Sequence, residues 1–192
     1  MLSERQQQII DESIKIIDKK GIQGLTIKNL SKAIGISEPG IYRHLESKTE
    51  ILINILNNFK EMALGLSGII ETYNVSAIEK MRFMFSKLFE MFSENPSIVS
   101  VIFSEEIFKN EEVLKNKIAE ILNLNTQTIE KIIAKGQAEK NVREDIDEEN
   151  LALLAMGSIR LLVKKWDLNN HNFDLSAEGE KLINVLSKVL EK

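Results

Sequence analysis

Residues 26–48, TIKNLSKAIGISEPGIYRHLESK, constrain the fold more than any other part of this 192-residue chain. Thr26 is a helix-capping residue ahead of a short apolar-periodic run that ends at Ile34. Gly35 follows, where a left-handed turn costs glycine little. Ser37 opens a second short helix with Pro39 in its first turn, where a missing N–H leaves no bond unmade. Ser47, with Glu50 three residues on, has the pattern of a capping box and opens a third helix. Helix, glycine turn, short helix: this spacing holds one helix outward on a small apolar base.

The rest of the chain predicts helices throughout. Apolar residues recur at three and four, with only two prolines and nine glycines in a chain that is 43% hydrophobic. The fold class expected is all-α, with about nine helices: an N-terminal three-helix helix-turn-helix domain over residues 1–47 and a larger helical domain over 48–192. Ser3 and Gln6 form a capping box for the first helix, which buries Ile10, Ile14 and Ile17 and ends at Gly21. Ile27, Leu30 and Ala33 are the expected inward residues of the second helix, and Ile41 and Leu45 those of the third. The fourth helix carries Ile51, Leu52, Ile55, Leu56 and Phe59 and runs to about Ile70, out of the first domain into the second. Ser76 and Glu79 cap a fifth helix that is apolar nearly all round. A sixth follows Asn95-Pro96, with a break expected before Ile107-Phe108. A seventh spans about Glu111 to Glu139, Asp147 caps an eighth, and a ninth runs from about Ser176 to Leu190.

Composition excludes several functions. There are no cysteines and only two distant histidines, His44 and His171, so neither a cysteine-ligated nor a His-rich metal site is expected. No phosphate loop or nucleophile motif occurs, and the chain is expected to be no enzyme and to need no cofactor. The N-terminus is polar without a signal-peptide core, and no uncharged apolar stretch is long enough to span a membrane, which predicts a soluble cytoplasmic protein. Net charge is −4, but residues 1–48 carry eight Lys/Arg against six Asp/Glu, so a mildly basic end sits on an acidic remainder of −6. Such a balance fits a protein that touches nucleic acid at one end through local contacts rather than bulk attraction.

The spacing Thr26…Leu30…Gly35-Ile36-Ser37…Ile41-Tyr42-x-His44…Lys48 resembles the N-terminal domain of TetR-family transcriptional regulators. Ser31 departs from the common alanine and Leu45 from the common phenylalanine. The resemblance implies a double-stranded DNA operator as partner, with Thr26, Lys28, Ser37, Glu38, Pro39, Gly40, Tyr42, Arg43, His44 and Lys48 at contact positions. The start of the recognition helix meets base edges, while the polar tips and free N–H groups meet phosphates. It implies a homodimer formed by the last two helices, for which Leu151, Leu154, Ser158, Leu162, Leu182, Val185 and Val189 are candidates. It also implies a small-molecule pocket in the larger domain. Met62, Phe85, Leu88, Phe92, Phe103 and Met156 are candidates to line it, since adaptable methionines and apolar walls suit a hydrophobic or amphipathic effector, with Arg82, Asn123 or Arg160 as polar anchors. The same Phe/Met stripe reads equally as plain core. The function expected is a ligand-responsive repressor of a near-palindromic operator. The alternative is a DNA-binding interaction protein of the same fold without a small-molecule effector.

Overall fold

The computed structural model describes residues 2–103 and 111–192. Nine α-helices and one 3-10 turn are found among them: α1 (Glu4–Lys20), the 3-10 turn (Ile22–Gly24), α2 (Ile27–Ile34), α3 (Glu38–Tyr42), α4 (Lys48–Glu71), α5 (Ala77–Glu94), α6 (Pro96–Ile102), α7 (Glu112–Ala138), α8 (Glu148–Leu168) and α9 (Leu175–Leu190). The expected break at Ile107-Phe108 lies outside the described residues. No helix among the described residues is long and apolar enough to cross a membrane.

The chain divides into two compact units, Met1–Glu61 with Pro96–Ala119, and Met62–Asn95 with Glu120–Lys192. Both α4 and α7 contribute residues to each.

In the first unit α1 packs against the 3-10 turn, α2 and α6. Its buried face is Ile9, Ile10, Ser13, Ile16 and Ile17, so Ile14 sits at the edge of the stripe rather than at its centre. Ser13 is tolerated there because its hydroxyl donates to the Ile9 carbonyl (2.7 Å). Leu30 and Ser31 are the buried residues of α2. Ala33, expected inward, is exposed. The helix turns its 30/31 edge to the core, and the Ser31 hydroxyl is satisfied by the Lys28 carbonyl (3.0 Å). Ile41, Leu45, Ile51, Leu52, Ile55, Leu56 and Phe59 are buried as the periodicity predicts.

The caps follow the sequence closely. Ser3 with Gln6 and Ser76 with Glu79 make reciprocal capping boxes, and Asp147 accepts from the Asn150 N–H. Those bonds hold the Glu79 and Asp147 carboxyls below the usual carboxylate range. The box expected at Ser47 is only half made: Ser47 accepts from the Glu50 N–H (3.0 Å), but the Glu50 carboxylate reaches the Glu46 N–H instead of returning to Ser47.

In the second unit α5 packs against α9. Arg82 on α5 bonds Glu180, Asn184 (2.8 Å) and Ser187 (3.3 Å) on α9. A candidate anchor for a ligand is thus committed to holding two helices together. Gly179 allows the close approach: a β-carbon there would lie 2.3 Å from a ring carbon of the buried Phe89. The Gly179→Ala substitution therefore costs about 1–3 kcal/mol through overpacking, although alanine is the better helix former by about 1 kcal/mol. Urea unfolding of the variant measures the loss, and an unchanged or raised midpoint contradicts this packing.

Candidate nucleic-acid interface

The short helix α3 is positioned by bonds that the sequence pattern only partly announces. Thr26 accepts from the Asn29 N–H (3.1 Å), which starts α2. Gly35 ends it in the left-handed region (φ 79°), and the N–H groups of Gly35 and Ile36 both return to the Ser31 carbonyl (2.9 and 3.1 Å). Ser37 accepts from the Gly40 N–H (3.2 Å) and opens α3. A β-carbon at Gly40 would lie 3.3 Å from the capping Ser37 oxygen, so glycine here also leaves the cap room. Ile41 and Leu45 anchor the inner side.

The outer side is polar and open. Ser37, Glu38, Pro39, Arg43 and His44 are exposed, Gly40 is half-buried, and Tyr42 keeps 50% of its surface exposed although it is a large aromatic residue. Thr26 and Lys28 are exposed at the start of α2. Lys48 differs. It is half-buried, and its ammonium donates to the Ile22 carbonyl (3.0 Å), which ties the first turn of α4 to the 3-10 turn. Burial pushes its pKa down, and the Glu111 carboxylate opposes that shift. Beside it the Thr49 hydroxyl donates to Glu111 (2.6 Å). One N–H of Lys48 is thus already used within the protein.

Gln6 is a positioning residue that sequence reasoning missed. Its amide donates to the His44 carbonyl (2.9 Å), fixing the chain just after α3 to the start of α1. The two residues are 38 positions apart, and no local pattern links them.

Residues 9–55 match the family model described as bacterial regulatory proteins, tetR family. Residues 66–189 match the model described as the C-terminal region of YsiA-like proteins, itself a TetR C-terminal model. The chain belongs to the TetR family. It is 25% identical over 182 residues to the fatty acid metabolism regulator protein of Bacillus subtilis (strain 168), spanning 93% of this chain and 92% of the relative. Among solved structures it is similar to FadR from Bacillus subtilis, solved with stearoyl-CoA (TM-score 0.79, 22% identity, 96% of this chain and 99% of that one). It is also similar to the fatty acid degradation regulator FadR from Bacillus halodurans (TM-score 0.84, 18% identity, 97% and 96%). As a TetR-family transcriptional regulator the protein carries its helix-turn-helix in α2 and α3.

The C-terminal candidates divide. On α8, Leu151 is 1% exposed and belongs to the core of the single chain, which corrects its assignment to a subunit interface. Leu154 is exposed, and Ser158 and Leu162 are half-buried. Leu161 and Leu168, not among the candidates, are 71% and 70% exposed. Leu154, Leu161 and Leu168 follow one another at intervals of seven, a repeat readable in the sequence. On α9, Val185 is exposed and Leu182 and Val189 are half-buried, opposite the inward face of Gly179, Ile183, Leu186 and Leu190.

Of the six ligand candidates, Met62 is exposed, Leu88 and Met156 are half-buried, and Phe85 and Phe92 are core residues of the second unit. Phe103 is buried in the first unit. Phe85 borders a gap of about 10 Å³ with Met81, Arg82 and Ile183. A cavity of about 200 Å³ in the second unit is lined by none of the six.

The turn geometry makes a local prediction. Gly35→Ala forces a β-carbon into the left-handed region and costs about 1–2 kcal/mol. Ser37→Ala removes the α3 cap and costs about 1 kcal/mol. Chemical denaturation of both variants reads these losses, and two unchanged midpoints contradict the turn described.

Proposed function

We propose that the protein is a ligand-responsive repressor: a homodimer that holds a near-palindromic operator and lets go when a hydrophobic or amphipathic small molecule binds. The observation that carries this reading is the presence in one chain of an open polar recognition helix and exposed apolar residues on the last two helices, Leu154, Leu161 and Leu168 on α8 and Val185 on α9. Water-exposed leucines repeating along one helix face fit an isologous contact with the same face of a second copy. Two copies present two α3 helices, as an operator with repeated half-sites needs.

In this reading residues 1–47 read DNA and residues 48–192 hold the effector and the subunit contact. Ser37, Glu38, Pro39 and Gly40, at the opening of α3, meet base edges. Tyr42, Arg43 and His44 meet phosphates, and Thr26 and Lys28 hold a second phosphate at the start of α2. Lys48 reaches a phosphate with the N–H groups that Ile22 leaves free. The effector's apolar body goes to the wall of Phe85, Leu88, Phe92, Met62 and Met156. The stearoyl-CoA held by a relative supports an acyl-bearing effector. A coupling of about 1–3 kcal/mol changes operator affinity roughly 5–150-fold.

The tight packing around Phe85 favours a second reading, in which the Phe/Met stripe is plain core and the larger domain recruits another protein. A thermal screen with long-chain acyl-CoA separates the two: stabilisation supports the effector, and none supports the recruiter.

Anisotropy titration against operator DNA tests the main reading. Tyr42→Ala with Arg43→Ala weakens binding by about tenfold or more and lowers its salt dependence, since each lost phosphate contact removes a released counterion. Leu161→Glu yields a folded monomer with equally weakened binding. Unchanged affinity in both variants overturns the proposal.

A further inference from the structure

The first turn of α4 already holds an anion, and the anion is one of the chain's own side chains. Glu111 is the residue from which α7 starts, its carbonyl accepting from the Lys115 N–H (3.0 Å). A carboxylate in such a place can cap its own helix, as Asp147 does for α8. The Glu111 carboxylate instead accepts from the Thr49 hydroxyl (2.6 Å), 62 positions back in the chain. It also acts on the Lys48 ammonium: burial pushes the Lys48 pKa down, and the Glu111 charge opposes it. Lys48 and Thr49 are the first two residues of a 24-residue helix, so their N–H groups have no intrahelical partner and lie at its positive end. Glu50, the other acid of that turn, is spent on the Glu46 N–H. A hydroxyl, an ammonium and a helix N-terminus are the groups that hold a phosphate. Glu111 itself is exposed, so a DNA strand meets the same place from solvent.

Building on the DNA-binding reading above, we propose that Glu111 competes with the DNA backbone for the first turn of α4. It is a positioning residue that keeps affinity below what Lys48 and Thr49 would otherwise give. A phosphate that comes to Lys48 either displaces the carboxylate from Thr49 or stands beside a like charge. Each outcome reduces the gain from the contact. The effect is one of affinity and not of sequence preference, because the groups concerned meet backbone and not base edges. Glu111→Gln separates competition from mere bracing: it keeps an oxygen that accepts from Thr49 and removes the charge.

The test is anisotropy titration of the full chain over a range of salt, with a labelled mixed-sequence duplex of roughly 30 base pairs, about three helical turns. Phosphate contacts are independent of sequence, so this probe reads them without a known operator. Glu111→Gln binds about fivefold more tightly at low salt. Its affinity also falls more steeply with salt, by up to about one unit of log–log slope, because one more phosphate is neutralised. Glu112→Gln, which removes the neighbouring exposed acid, gives a clearly smaller gain. The Glu111→Gln gain disappears in a Lys48→Met background, and if that variant does not fold the comparison with Glu112→Gln decides. Equal or weaker binding by Glu111→Gln overturns the proposal, weaker binding being the mark of a carboxylate that only braces α4. A gain matched by Glu112→Gln, or kept in a folded Lys48→Met chain, overturns it as well. Failure of the operator reading shows separately, as genomic fragments that bind no better than the mixed duplex. No binding of that duplex at low salt overturns both.

Discussion

The buried face of α1 is the constraint on which the first unit depends. Ile9, Ile10, Ile16 and Ile17 are withdrawn from water against the 3-10 turn, α2 and α6. Each fully buried isoleucine contributes about 1.5–3 kcal/mol. Five residues of α3 cannot hold a helix alone, because nucleation is too costly for so short a segment. The helix persists because Ile41 and Leu45 join that core, Ser37 caps it, and Gln6 of α1 bonds the chain just beyond it. A recognition helix can then spend its outer face entirely on polar groups. Its stability comes from elsewhere.

Lys48 shows how positioning and recognition compete for one side chain. A lysine at the start of a helix next to a recognition element invites a phosphate contact. Here its ammonium also joins α4 to the 3-10 turn, with Glu111 nearby. Such a residue orders the surface as well as charging it. Its partners, Ile22 and Glu111, are 26 and 63 positions away in the chain, and spacing does not reveal them.

What the sequence makes legible is local chemistry. Ser3, Thr26, Ser37, Ser76 and Asp147 cap the helices they were expected to cap, and Gly35 turns where a positive φ was expected. These features depend on residues within one turn of each other. Periodicity is less decisive about which face is inward. Ala33 is exposed and Leu151 is buried, each on the side opposite to the one expected. Buried polar residues were illegible as well. Ser13 and Ser31 are covered because neighbouring carbonyls take their hydroxyls. Arg82, a candidate anchor by residue type, is occupied by Glu180 and Asn184 of α9, about a hundred positions away in the chain.

In the proposed function two copies of this chain read DNA as a pair through α3. The most direct measurement of this is selection of bound fragments from genomic DNA, followed by footprinting of the sites recovered. The account predicts inverted repeats whose half-site centres lie one helical turn, about 34–36 Å, or a whole multiple of it apart. It also predicts protection by two chains at each site. Single unrepeated sites occupied by one chain, or binding with no sequence preference, would contradict it.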